Sequence, residues 1–141
     1  MYIEPWEGRR DPLIKKYPLQ LITTHTKRRT HANMANIIWL RTLEPQTVWI
    51  NPVDAATRDI HHGKTVRVYN DRGIIVLTAK ITERIMPGVV SIDQGAWYSP
   101  DKNGIDRGGC ANVLLKDEHS PAGAFCSNNC LVQIERESHD I

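Results

Sequence analysis

A mainly-β fold, a small barrel or sandwich with a few short helices, is what this 141-residue sequence predicts. Three observations carry the prediction. Short runs of alternating apolar and polar residues, rich in β-branched side chains, recur along the chain. Turn signals built from Gly, Pro, Asn and Asp separate them. No segment sustains a long 3.6-residue period, so helices are confined to one or two turns.

The elements follow in order. Leu19-Gln20-Leu21-Ile22-Thr23 is a β-type run introduced by Pro18, and Thr47-Val48-Trp49-Ile50 is a second, ended by Asn51-Pro52. Asn before Pro is an N-cap and N1 pair, and Asp54 in the first turn suits the helix dipole. The spacing therefore predicts a two-turn helix over Pro52 to Asp59, finished near Gly63. Thr65 to Tyr69 alternates apolar and polar, Asn70-Asp71-Arg72-Gly73 turns the chain, and Ile74 to Ile81 returns as the partner strand of a hairpin. Gly88 to Ile92 and Leu131 to Ile134 read as further strands. Asn112 to Leu115 fits either a strand or a helical turn, and Asn33 to Arg41 is the helical segment of the first third. Residues 1–16, broken by Pro5, Gly8 and Pro12, read as an extended arm or linker, and residues 17–141 as the folded domain. An arm of that kind before a single domain points to a piece of something larger.

Length and composition remove several classes. A chain of this size buries about 70% of the surface that its unfolded form exposes, so a core is available without disulfides. No run of about 18 apolar residues is present to cross a membrane. No secretory signal segment opens the chain, which begins MYIEPWEGRR. Hydrophobic residues make up 40% of the chain against a net charge of +2, which excludes disorder. That near-neutral total hides an asymmetry. Between Pro12 and Leu43 there is no Asp or Glu, while Lys15, Lys16, Lys27, Arg28, Arg29 and Arg41 add positive charge. A basic field in one place of a mildly acidic protein points to an anionic partner there.

The chemistry-bearing residues form three groups. Thr24, His25, Thr26, Lys27, Arg28, Arg29, Thr30 and His31 place hydroxyls, imidazoles and fixed cations in one loop after the first strand. Phosphate or pyrophosphate oxygens want such donors. The same loop also reads as a solvated basic turn, or as the contact surface of a nucleic-acid-binding β-barrel. Gly95, Ala96, Trp97 and Tyr98 could line a ligand pocket, though core packing accounts for Trp97 equally well. Asn112, behind Gly108-Gly109, offers a carboxamide suited to the edge of a heterocycle or to capping a turn. Cys110, Cys126 and Cys130 are odd in number, which rules out a fully paired disulfide framework within one chain. Their spacing, with His61-His62 adjacent, does not make a metal set, so no metal ligands are expected here. No nucleophile-and-base arrangement and no Walker-type loop is found, so no catalytic residue is assigned in this chain.

Seven motifs in order carry a resemblance: Tyr17-Pro18-Leu19-Gln20-Leu21; Thr24-His25-Thr26-Lys27-Arg28-Arg29-Thr30-His31; Asn51-Pro52-Val53-Asp54-Ala55 with Arg58; Gly63-Lys64-Thr65-Val66 with Asn70 to Gly73; Met86 to Val90; Gly95-Ala96-Trp97; and Gly109 with Asn112-Val113-Leu114. From about Tyr17 to Glu135 the chain resembles the C-terminal molybdopterin-dinucleotide-binding domain of the dimethyl sulfoxide reductase family of molybdoenzymes. Within that family, the Thr24 to His31 loop looks like the catalytic A chains of the anaerobic reductases.

The resemblance implies a double-psi β-barrel that folds over a bis(molybdopterin guanine dinucleotide) molybdenum cofactor shared with other domains. It places Thr24 to His31 against the dinucleotide, Gly95 and Trp97 near the pterin and substrate funnel, and Asn112 against a pterin. Asp54 falls in the family's Asn-Pro-x-Asp-Ala motif, with a chiefly structural role. Asn128 lies where the family often has Gly-Asn, but Ser127-Asn128-Asn129 stands here instead. The molybdenum ligand and any iron–sulfur cluster would belong to absent parts of the parent chain. Implied partners are the remaining domains of that chain, an iron–sulfur electron-transfer subunit and a membrane anchor subunit, on the periplasmic side, with no nucleic acid.

Overall fold

Inward-facing aliphatic side chains, every second residue of six strands, define the molecule. In the computed structural model, which describes residues 4–126 and 128–137, these strands are β1 (Leu19–Thr24), β2 (Thr47–Ile50), β3 (Thr65–Tyr69), β4 (Ile74–Ile81), β5 (Val89–Asp93) and β6 (Cys130–Arg136). They close into a barrel in the order β1-β5-β2-β4-β3-β6. Leu19 and Leu21, Val48 and Ile50, Val66 and Val68, Ile75 and Leu77, Val90 and Ile92, and Val132 and Ile134 fill the interior from every strand. Each such side chain contributes about 1.5–3 kcal/mol on burial. Closure leaves no free sheet edge among these strands.

Two pairs are parallel, β1 with β5 and β2 with β4; the other four are antiparallel. These directions gather the C-terminal ends of β1, β3 and β5 and the N-terminal ends of β2, β4 and β6 at one end of the barrel. The connections there are residues 25–46, 70–73, 94–110 and 111–129. The opposite end carries residues 51–64 and 82–88.

The predicted strands agree with the observed ones to within a residue or two, β6 running furthest beyond its prediction. The helices are shorter or displaced. The segment expected from Asn33 is helical only over α1 (Ile38–Leu43), because Met34 sits at φ 69° and no helix passes through that conformation. The second helix, α2, covers Pro52–Ala56 instead of reaching Asp59, whose φ of 52° stops it. Asn51 caps it as expected, accepting from the Val53 amide at 2.9 Å. Ala111–Val113 is a single 3-10 turn, which resolves the open choice for the stretch after Cys110.

The N-terminal segment also differs from an extended arm. Pro12–Lys15 forms a 3-10 turn capped by Asp11, and Glu7 is only 4% exposed. The Glu7 carboxylate makes a forked pair with Arg72, at 2.6 and 2.8 Å, and accepts from the Leu131 amide at 2.8 Å. Lys16 and Tyr17 both donate to Asp71 in the same hairpin turn. Residues 1–3 of the expected arm and 138–141 of the expected domain lie outside the described residues.

All three cysteines are free. Burial pushes the Cys130 thiol up to about 11 and raises that of Cys110 as well. A raised thiol pKa keeps the nucleophilic thiolate scarce until the pH climbs through it. Alkylation of the folded chain at pH 8, followed by peptide mass spectrometry, is therefore expected to leave Cys130 unmodified and to label Cys126 ahead of Cys110. For the N-terminal tie, Arg72→Ala strands a buried carboxylate and should destabilise the chain by about 3–5 kcal/mol. Urea unfolding checks this, and a change near zero would mean that the tie is not holding the segment.

Candidate functional site

The loop after β1 is shaped by its own hydroxyls and by one left-handed residue. Thr24 donates to Asp93 Oδ1 at 2.6 Å and lies 3.0 Å from Ser91 Oγ, tying the ends of the parallel pair β1 and β5. Thr26 Oγ1 accepts from the Arg28 amide at 3.0 Å, a local turn that Thr supports well. His31 adopts φ 52°, and its ring meets that of His25 edge to face with centroids 5.3 Å apart. Lys27 is exposed.

The two arginines of the loop have different surroundings. Arg28 lies 3.5 Å from Glu44 in a half-exposed ion pair. Arg29 turns inward instead: one of its terminal nitrogens donates to Gln46 Oε1 at 2.7 Å and to the Gln94 carbonyl at 3.2 Å. Its Nε is buried with no hydrogen-bond partner among the described residues. Burial pulls this guanidinium below its usual range, opposed by the nearby charges of Asp93 and Glu44.

Gln46 is the junction. Its Nε2 donates to the Asp93 carbonyl at 2.6 Å and the Gly109 carbonyl at 3.0 Å while its Oε1 accepts from Arg29. Gly109, at φ 80°, presses against the Gln46 side chain where a Cβ would intrude. Gly95 is equally constrained: at φ 87°, any Cβ would collide with the His31 carbonyl oxygen. Trp97 donates from its indole to the Ala32 carbonyl at 2.8 Å, closing the 94–110 loop over the loop that follows β1.

Asp106 organises the long loop from inside. It is fully buried, and its two carboxylate oxygens accept from the amides of Ser99, Gly108 and Cys110 at 2.6–3.0 Å. Its backbone bridges Ile74 and Val76 of β4. Asp101 holds the preceding turn through Asn103, Ile105 and Arg107, which keep its carboxyl below the usual range, the Asn103 amide most of all.

Between these loops lies an open cleft of about 870 Å³. Arg29, Arg41 and Arg107 line it against a single carboxylate, Glu44, with Trp97 and Tyr98 on the aromatic side.

Of the residues singled out in the sequence, the fold brings Thr24, His25, Thr26, Lys27, Arg28, Arg29, His31, Gly95 and Trp97 to one end of the barrel, with Arg29 and Trp97 on the cleft. Asn128 is at that end too, accepting from the Thr23 amide at 2.7 Å; Ser127 beside it lies outside the described residues. Asn112 is exposed on its 3-10 turn, which Asn70 anchors through the Leu114 carbonyl at 2.8 Å. Asp54 is at the opposite end, accepting from the Gly88 amide at 2.7 Å with Arg58 3.9 Å away. Sequence reasoning missed Gln46, Asp106 and Arg107 as members of the site and counted Arg41 only in the basic stretch. Of the three missed, Asp106, one residue before Arg107-Gly108-Gly109, carried a local cue, an acidic residue ahead of amides that need an acceptor.

Asp106→Asn keeps the shape but turns one acceptor into a donor facing an amide. It should cost about 1–3 kcal/mol and speed hydrogen exchange at Ser99, Gly108 and Cys110. Unchanged exchange at all three amides would contradict the assigned hub.

Residues 19–130 match the family model described as Molydopterin dinucleotide binding domain. The chain is 47% identical over 137 residues to dimethyl sulfoxide reductase DmsA of Haemophilus influenzae, and equally to that of Escherichia coli, covering 96% of this chain and 17% of each relative. It is 36% identical over 132 residues to trimethylamine-N-oxide reductase of Haemophilus influenzae, covering 86% of this chain and 16% of that one. Acetylene hydratase from Pelobacter acetylenicus shares the fold, with a TM-score of 0.81 over 97% of this chain and 21% of its own, at 19% identity. The chain thus spans about a sixth of the length of the reductases it matches. By a family model that covers most of its length, it belongs to the molydopterin dinucleotide binding domain family.

Proposed function

We propose that this chain is the cofactor-binding domain of a longer molybdenum oxidoreductase that reduces S-oxides or N-oxides. It would hold bis(molybdopterin guanine dinucleotide) at the loop end of its barrel. The observation that carries the reading is Arg29. A guanidinium with a buried, unpartnered Nε, held by an amide and a carbonyl instead of a carboxylate, suits a phosphate oxygen. On the cleft beside it Arg107 is paired with Asp101, while Arg29 and Arg41 form no ion pair among the described residues, so the residues present fit an anionic group.

When bound, such a cofactor supplies the two-electron chemistry, and the protein supplies binding, orientation and electrostatics. Arg29 would neutralise pyrophosphate charge, and Lys27 and Arg28 would add to the field at the mouth. Thr24, Thr26, His25 and His31 shape the loop that presents them. Gly95 lets the two loops approach closely, Trp97 fixes one wall, and Asn112 and Asn128 offer carboxamides at the rim. Asp54 serves the far end of the barrel, where it holds Gly88. Two parallel strand pairs within a closed six-stranded barrel support the double-psi reading of the fold.

The names of the relatives support sulfoxide and N-oxide substrates. Partners would be the rest of the catalytic chain, an iron–sulfur subunit and a membrane anchor subunit on the periplasmic side. Among the described residues no helix is long and apolar enough to cross a membrane. The nucleic-acid alternative gains nothing from the geometry. Lys16 is paired with Asp71, Arg28 lies beside Glu44, and Arg29 faces inward, which breaks up a continuous basic surface.

Arg29→Ala in the full-length enzyme is expected to lower molybdenum and guanine nucleotide per polypeptide, with Arg28→Ala having the smaller effect. A buried charge-assisted contact contributes about 1.5–3 kcal/mol, enough for roughly a ten- to hundredfold weaker hold. Unchanged cofactor content in Arg29→Ala would sink the assignment. The isolated 141-residue chain should fold without reducing S-oxides.

A further inference from the structure

Two buried polar atoms at the loop end have no hydrogen bond among the described residues, and they carry opposite charges: Arg29 Nε and Glu44 Oε2. Both residues line one small cavity, together with Arg28 and Arg41. Glu44 is the only acidic residue on that cavity among the described residues, and the only one on the larger cleft as well. One carboxylate therefore borders three guanidiniums.

Glu44 is loosely held. Its Oε2 lies 3.5 Å from Arg28 Nε in a half-exposed pair. Asp93, the other carboxylate near Arg29, is instead fastened by the Thr24 hydroxyl at 2.6 Å. The place of Glu44 in the chain is also unfavourable to it. It is the C-cap of α1, where the helix dipole favours cations over a carboxylate. A residue kept against its local preference points to a role outside its own helix.

We propose that Glu44 is an internal counter-ion that sets how tightly the arginine cluster holds an anion. Its carboxylate screens the mutual repulsion of Arg28, Arg29 and Arg41, and it competes with a phosphate oxygen that reaches them. The inference rests on the reading above, in which this end of the barrel receives a phosphate-bearing group. To that site it adds a residue of opposite sign, one whose neutralisation tightens the hold. Two coupled sites commonly change each other's affinity by about fivefold or more. An inert surface pair would change nothing, and a mere support of the loop would loosen the hold when altered. The sign of the effect separates the three roles.

The test uses the loaded parent enzyme. Glu44→Gln keeps the shape of the side chain and removes its charge, whereas Glu44→Asp keeps the charge. Release of molybdenum and guanine nucleotide is followed after transfer to dilute, warm buffer. Release is expected to slow by about fivefold in Glu44→Gln and to stay close to that of the unaltered enzyme in Glu44→Asp. Unchanged release in Glu44→Gln makes the pair inert and overturns the proposal. Faster release, or failure of that variant to load, makes Glu44 a support of the loop and overturns it as well. Equal slowing in both variants assigns the effect to shape instead of charge, which also overturns it. Arg29→Ala separates this inference from the reading beneath it. If that variant loses cofactor while Glu44→Gln leaves release unchanged, the cofactor reading stands and the counter-ion alone fails. If Arg29→Ala keeps its full cofactor content, the cofactor reading itself falls.

Discussion

One carboxamide holds the loop end of this barrel together. Gln46 stands just before β2, and strands β1, β5 and β2 are neighbours in the sheet. The loop after β1, the end of β5 and the Gly109 turn therefore converge on it. A carboxamide can donate and accept at once, and Gln46 does both: it accepts from Arg29 and donates to two carbonyls. A carboxylate there could take Arg29 but would set negative charge against the Asp93 and Gly109 carbonyls. An apolar side chain would leave the Asp93 and Gly109 carbonyls without this donor and Arg29 with the Gln94 carbonyl alone. Neither substitute reproduces the three-way bond.

The two ends of the barrel use their polar groups differently. At the α2 end they are consumed by the fold: Asn51 caps the helix and donates to the Ile85 carbonyl at 2.7 Å, and Asp54 takes the Gly88 amide. The N-terminal segment is consumed in the same way, with Glu7 serving Arg72 and the Leu131 amide together. Satisfied buried groups of this kind rigidify and leave nothing for a ligand, and the two buried atoms there without a hydrogen bond, Arg67 Nε and Glu137 Oε2, face each other in an ion pair at 3.5 Å. At the loop end the buried Arg29 Nε has no ion-pair partner of that kind, and it borders a cleft on which Arg41 forms no ion pair among the described residues either. Ligand sites are recognised by such remainders.

The barrel strands were legible because period-two burial is a local property. Val66 and Val68 announce their strand, and Ile75 and Leu77 answer it, without knowledge of any other element. The start of α1 was not legible, because the left-handed Met34 follows the Thr30–Asn33 bridge in a loop against which Gly95 and Trp97 of another loop pack. The basic loop stood out through composition alone. Gln46 could not, since a glutamine between a proline and a threonine says nothing until Asp93 and Gly109 come beside it. Asp54 shows the reverse case. A motif residue was readable in sequence, but its place at the far end of the barrel emerged only from strand direction.

The stretch from Pro12 to Leu43, free of Asp and Glu, can now be weighed physically. It does not lie in a field free of carboxylates, because the fold imports them: Asp71 beside Lys16, Glu44 beside Arg28, and Asp93 near Arg29. What the missing local carboxylates prevent is capture. A carboxylate within the Thr24 to His31 loop could reach Arg29 and form an ion pair before any ligand arrived. At 4 Å and an effective dielectric of 20, such a pair is worth about 4 kcal/mol before its desolvation is counted. A phosphate would then have to displace it. With a neutral amide as its hydrogen-bond partner, Arg29 is oriented while no carboxylate bonds to it, and Asp93 and Glu44 offset its charge only from nearby. Orientation by Gln46 and the exclusion of acidic neighbours from the loop are thus two halves of one electrostatic arrangement.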